Sequence, residues 1–143
     1  MIMLATSFVL GACGNQLNSS LRGSEERVAI RLSVKESEHL RQGMQRYLAS
    51  VQGIVEALHH NKRVAVSESA KNGGVGMLSG VPASVAVRLP PEFLMLSMDT
   101  HQKFDALSRS AAAGESKSQM LKQLGDILAN CTACHAKYKL TPN

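Results

Sequence analysis

The sequence has no tryptophan, and Phe, Trp and Tyr together make up 3% of its 143 residues. That scarcity works against a β-sandwich, whose strands favour aromatic and β-branched side chains. It also works against single-stranded nucleic acid as a ligand, since bases stack on aromatic faces. The net charge of +5 is not gathered into a dense Lys/Arg block that could follow a phosphate backbone. No nucleic-acid partner is therefore expected, and the basic balance points to an anionic membrane or an acidic protein. Cysteine is scarce as well. Of three residues, Cys13, Cys131 and Cys134, only the last two lie together, so no second pair exists to complete a four-ligand zinc site.

Hydrophobic residues make up 44% of the chain, which is long enough for one domain with a real core. Such a core must be built from Leu, Val, Ile, Met and Ala, a set that favours helices. A first long helix is expected over about 33–60, with Leu40, Met44, Leu48, Val51, Val55 and Leu58 as its apolar stripe. Asn61 reads as its stop. A shorter helix follows within "NKRVAVSESAKNGGVG" and ends at Gly73 and Gly74, suited to a left-handed cap. "LSGVPASVAVRLPPE" reads as a loop. A third helix starts near Pro91, tolerated in a first turn, and runs to about 113, where Gly114 breaks it. The fourth spans about 115–139, with Leu121, Leu124, Leu128, Cys131 and His135 on one stripe. Four amphipathic helices with mostly short connections predict an all-α fold, an antiparallel four-helix bundle.

The chemistry is concentrated in "CTACH", residues 131–135. Positions i, i+3 and i+4 share a helix face, so Cys131, Cys134 and His135 point the same way. C-x-x-C-H is the attachment signature of c-type haem: two thiols form thioethers and the adjacent imidazole faces the iron. A redox dithiol is the weaker reading. It would place its attacking thiol at a helix N-terminus, where the dipole lowers the pKa, whereas Cys131 lies near a C-terminus. A plain disulfide would leave His135 without a role.

The opening "MIMLATSFVLGAC" is apolar up to Ala12. It is shorter than the roughly 20 residues that span a bilayer as a helix, and it reads as an export signal. "LGAC" looks like a lipobox, so Cys13 is the expected lipidation site. The expected organisation is a lipoprotein-type signal over 1–12, a flexible polar tether over 13–32 and a helical domain over 33–143. This places the protein in the periplasm, lipid-anchored to a bacterial membrane.

"AAAGESKSQMLKQLGDILANCTACHAKYK" resembles the final loop and helix of the class II c-type cytochromes, the cytochrome c prime family and its low-spin relatives. "HLRQGMQRYLASVQGIVEALHH" resembles that family's first helix, with its Arg-x-x-Met pattern at Arg41 and Met44, and "LSMDTHQKFDAL" resembles the third helix of some small members. The likeness covers about 33–140. It implies one covalent haem c on Cys131 and Cys134, His135 as proximal iron ligand and Met44 as distal ligand. His101, beside Met98 and Phe104, is the alternative distal ligand, or else packs or meets a haem propionate. His39, His59 and His60 read as surface residues, and Arg41 as either a pocket or a surface residue.

A haem closed on both axial sides exchanges electrons rather than binding substrate. The expected function is thus electron transfer, without enzymic chemistry, with redox proteins and the membrane as partners and a homodimer left open. Lys117, Lys122, Lys137 and Lys139, on the fourth helix near the motif, are expected either to steer acidic partners or to be solvated surface residues. The alternative is a five-coordinate haem that binds nitric oxide or carbon monoxide, as in the high-spin members. The residue facing the iron separates the two.

Overall fold

The computed structural model describes residues 26–143. The chain is mostly helical. In order it has β1 (Val28–Leu32), α1 (Val34–His59), α2 (Arg63–Lys71), a 3-10 turn (Val75–Gly80), the one-turn α3 (Ala83–Ala86), α4 (Pro91–Ala112), α5 (Lys117–Lys137) and β2 (Tyr138–Pro142).

Local chemistry sets the helix ends. Ser33 caps α1 in a reciprocal box: its Oγ accepts from the Glu36 amide at 3.3 Å, and its own amide donates to Glu36 Oε2 at 2.9 Å. Asn61, at φ 54°, closes α1, with the amides of Asn61 and Lys62 donating back to the carbonyls of Leu58 and Ala57. Gly114, at φ 81°, closes α4 in the same way, with the amides of Gly114 and Glu115 on Ala111 and Ser110. These are Schellman caps, which need one left-handed residue just past the helix. Gly73 and Gly74 do not supply one, contrary to expectation, because α2 ends on Asn72 in right-handed geometry. Gly73 is required by space instead: a Cβ there would lie 2.8 Å from the Phe104 ring.

Packing follows the helix order. α2 packs against α1 and α4, and α4 packs against α5. Leu58 and Met120 share one cavity wall, while Met44 and His135 share another, so α1 and α5 run antiparallel. The main core joins Ile54, Ala57 and Leu58 of α1, Val66 and Ala70 of α2, Phe104, Leu107 and Ala111 of α4, and Met120, Leu124 and Ile127 of α5. The face that α1 buries is therefore Ser50, Ile54, Ala57 and Leu58, with Tyr47 and Val51 packed alongside. It is rotated from the expected stripe, and Leu48 is left 69% exposed. On α5 the buried face is Met120, Leu124, Ile127 and Asn130, with Leu121 and Leu128 exposed.

The strands are the larger departure. β1 and β2 pair in parallel, Val28 opposite Tyr138 through Leu32 opposite Pro142. Residues 28–32, expected to end a polar tether, bury Ile30 and Leu32 in a second core with Val85, Leu89, Phe93 and Tyr138. Because β2 begins at Tyr138, α5 stops at Lys137, and Lys139 is a strand residue. The expected loop over 78–92 carries α3, whose Val85 is fully buried.

Candidate functional site

Cys131, Cys134 and His135 occupy the last two turns of α5. Asn130, just before them, fixes this part of the helix. Its Nδ2 donates to Asp99 Oδ2 at 2.6 Å and to Thr100 Oγ1 at 3.2 Å, and its Oδ1 accepts from Lys103 Nζ at 2.9 Å. Lys103 also pairs with Asp99 at 2.7 Å. One buried amide thus ties α5 to α4 through three side chains. Beyond the motif, Lys137 pairs with Glu92, and Tyr138 meets the Phe93 ring edge-on with centroids 5.3 Å apart. The motif is held to α4 on both sides of its sequence.

Both thiols are free and half-buried. Burial pushes each up, and the Cys131 sulfur adds to the effect at Cys134. This is the reverse of what an attacking dithiol needs. His135 is exposed, and its backbone carbonyl accepts from Arg27 Nη1 at 3.4 Å.

Opposite stands α1. A cavity of about 290 Å³ is lined by Leu40 and Met44 of α1, Phe93 of α4, Cys134 and His135 of α5, and Arg27, Ile30, Tyr138, Lys139 and Leu140 on and beside the strands. A second, 70 Å³ cavity continues behind it. Leu40, Met44 and Phe93 line both, and the rear wall holds Tyr47, Ser97 and His101. Met44 is 38% exposed and sits where the two meet. The structure therefore brings Met44, Cys134 and His135 around one space, with Cys131 on the same helix face one turn earlier.

His101 has a different place. It is 1% exposed, and both ring nitrogens are engaged. Nδ1 lies 2.8 Å from the Gly73 carbonyl oxygen, and Nε2 lies 2.7 Å from Tyr47 Oη. A carbonyl only accepts, so Nδ1 carries the proton and Nε2 accepts from the phenol. Both ring nitrogens are thus held in hydrogen bonds to α1 and to the turn after α2. Tyr47, which the sequence reading passed over, stacks on Phe104 with centroids 5.5 Å apart. Burial raises its phenol well above the usual range, and Cys131 and Cys134 contribute to that rise.

Other expected positions are peripheral. Arg41 pairs with Glu38 at 2.7 Å on the outer surface of α1. Lys122 pairs with Asp126, and Lys117 lines a cavity with Leu58 and Met120 at the far end of α5. Of the four lysines expected near the motif, only Lys137 and Lys139 are close to it. His59 and His60 are exposed and His39 is half-exposed. Cys13, with the whole 1–12 segment, lies outside the described residues.

Among the described residues, no three His, Cys, Asp or Glu side chains are grouped to chelate a metal ion, and no helix is long and apolar enough to cross a membrane. The donor set gathered there is two free thiols on one helix face, an imidazole beside them and a thioether across the cleft. Comparison with protein-family models, with curated proteins and with solved structures finds no match.

Proposed function

We propose that the chain is a haem c electron-transfer protein of the bacterial cell envelope, with α1, α2, α4 and α5 as a four-helix bundle around one covalent haem. The observation that carries this reading is the shared cavity of Met44, Cys134 and His135. The motif alone gives a place of attachment. The cavity adds an opposing thioether, supplied by a different helix and set in an apolar wall.

Within this reading each residue has a defined task. Cys131 and Cys134 would hold the porphyrin as thioethers, and His135 of α5 and Met44 of α1 would supply the two iron ligands. When bound, the haem supplies a one-electron couple, and a Met thioether raises its potential relative to two imidazoles. Leu40, Ile30, Phe93 and Leu140 line the cleft with apolar surface that limits water. Asn130 keeps the α5 face aligned through Asp99, Thr100 and Lys103. His101, with both nitrogens engaged, is a packing residue behind the cleft. The envelope location and the Cys13 anchor belong to the same proposal and rest on "LGAC".

The test is covalent attachment. Produced with haem-ligating machinery, the protein keeps its colour through acidic acetone, and Cys131→Ser with Cys134→Ser abolishes that colour. A colourless wild type under those conditions refutes the reading. A wild type that is coloured, high-spin and quick to bind carbon monoxide keeps the haem but moves the function to gas binding.

A further inference from the structure

A separate cavity of about 780 Å³ is walled by α1, α2, the 3-10 turn and α4. It adjoins the space behind Met44, with which it shares Arg46 and Met77. Ser50 stands in its wall. That residue is 3% exposed, yet its hydroxyl has no hydrogen-bond partner among the described residues. Other hydroxyls on the helices behave differently: Thr100 and Thr132 each donate to the carbonyl four residues back, at 2.8 and 3.0 Å. Leaving a buried hydroxyl unpaired is costly, so an orphan of this kind points to a partner outside the chain.

The other polar groups in the wall are free as well. The side chains of Arg46, Ser69, Lys71 and Asn72 make no hydrogen bond or ion pair with the described residues. Asp105 is the one acid in the wall, and its Oδ2 accepts from the Val75 amide at 3.1 Å. Two glycines make room for these groups. A Cβ at Gly53 would lie 2.6 Å from Ser69 Oγ, and one at Gly74 would collide with Asp105 Oδ1. α2 ends here, but the carbonyls of Glu68, Ala70 and Lys71 accept from the amides of Asn72, Gly73 and Gly74. The negative end of the helix is therefore muted. Arg46 and Lys71 against Asp105 leave one positive charge, and Ala49 and Met77 give the cavity an apolar side.

We propose that this cavity binds a small organic acid through its carboxylate. One net positive charge suits one carboxylate. Arg46 and Lys71 meet its oxygens, since a guanidinium matches a carboxylate in geometry as well as in charge. The hydroxyls of Ser50 and Ser69 and the Asn72 amide add neutral donors. The cavity is larger than a bare ion needs, and the carbon body lies along Ala49 and Met77. The Ser50 hydroxyl gains the acceptor that the protein does not give it. Met44, Cys131, Cys134 and His135 take no part, so the site stands apart from the haem reading.

Butyrate is the probe, and the amide NMR shifts of the reduced full-length protein are the readout. Those of Ser50, Ser69, Lys71 and Asn72 should move saturably, while those of Lys62 and Lys117, in a different cavity, stay in place. Arg46→Gln and Lys71→Gln should each weaken binding about tenfold, and Ser50→Ala about threefold. Ser50→Ala should leave the melting temperature unchanged, because no bond within the protein is lost. Lys62→Gln with Lys117→Gln removes two charges elsewhere and should change the affinity by less than about twofold at physiological salt. Acetate should bind at least about threefold more weakly than butyrate, for want of the carbon body. Butylamine, of opposite charge, should not compete. Absence of a saturable shift, wild-type affinity in Arg46→Gln, equal weakening by the distant pair, equal affinity for acetate, or competition by butylamine each overturns the proposal. So does a lowered melting temperature in Ser50→Ala, since the hydroxyl would then serve the fold. None of these results bears on covalent haem, which the acetone extraction tests separately.

Discussion

Tyr47 Oη lies 2.7 Å from His101 Nε2, and this pair joins α1 to α4 directly behind Met44. The relation places His101 in the packing between α1 and α4. His101→Ala removes a buried ring with two hydrogen bonds and strands the Gly73 carbonyl. It should cost about 2–4 kcal/mol in urea unfolding and leave the iron low-spin. Loss of the low-spin spectrum in His101→Ala, with Met44→Ala unaffected, would reassign the distal ligand to His101.

Asn130 is the second positioning residue. Asn130→Ala leaves Asp99, Thr100 and Lys103 without their common partner and should cost about 1–3 kcal/mol. Asp99→Asn and Thr100→Ala should each cost less, since the amide keeps its other contacts. Thermal unfolding followed by circular dichroism measures this. Equal losses from all three substitutions would mean that the four groups act as one unit.

Acid should weaken the α4–α5 ties. The hydrogen bond from Lys137 holds the Glu92 carboxyl below its usual range, and those from Lys103 and then Asn130 do the same for Asp99. A depressed carboxyl stabilises the fold above its unfolded value and loses that contribution as pH falls through its folded value. Stability should therefore hold from neutral pH down to about 4 and fall below it. The Lys137 amine, raised chiefly by its hydrogen bond to Glu92, has the opposite sign: its contribution is lost as pH rises through its folded value, above the usual lysine range. Both Glu92 and Lys137 are exposed, so the effect is small. Melting curves of wild type and Glu92→Gln should differ at pH 7 and coincide at pH 3. An equal difference at both pH values contradicts the assignment.

Some helix ends were legible because single residues carry them: Asn61, Pro91 and Gly114 each impose local geometry. The faces of α1 and α5 were harder to read. Ser50 and Asn130 are buried, while Leu48 and Leu128 are exposed, so hydrophobicity alone gave the wrong rotation. The strand pair was not legible. "VAIRL" follows a polar run and meets its partner "YKLTP" only through pairing between distant parts of the chain. Gly73 carried a misleading signal, since a glycine needed for close approach to Phe104 looks the same in sequence as one needed for a left-handed turn. Of the candidate site, the motif could be read directly, and Met44 entered only through the family resemblance. Tyr47 could not, because a lone polar aromatic on a helix gives no sign of the buried histidine it will meet.

The visible absorption spectrum of wild type beside Met44→Ala, oxidised and reduced, tests the central claim most directly. Met44 and His135 line one cavity from opposite helices, so the wild-type iron should be six-coordinate and low-spin in both states and slow to bind carbon monoxide. Met44→Ala should keep its covalent haem, become high-spin, lose reduction potential and bind carbon monoxide rapidly. A wild type that is already high-spin, or a Met44→Ala spectrum identical to a low-spin wild type, contradicts the account.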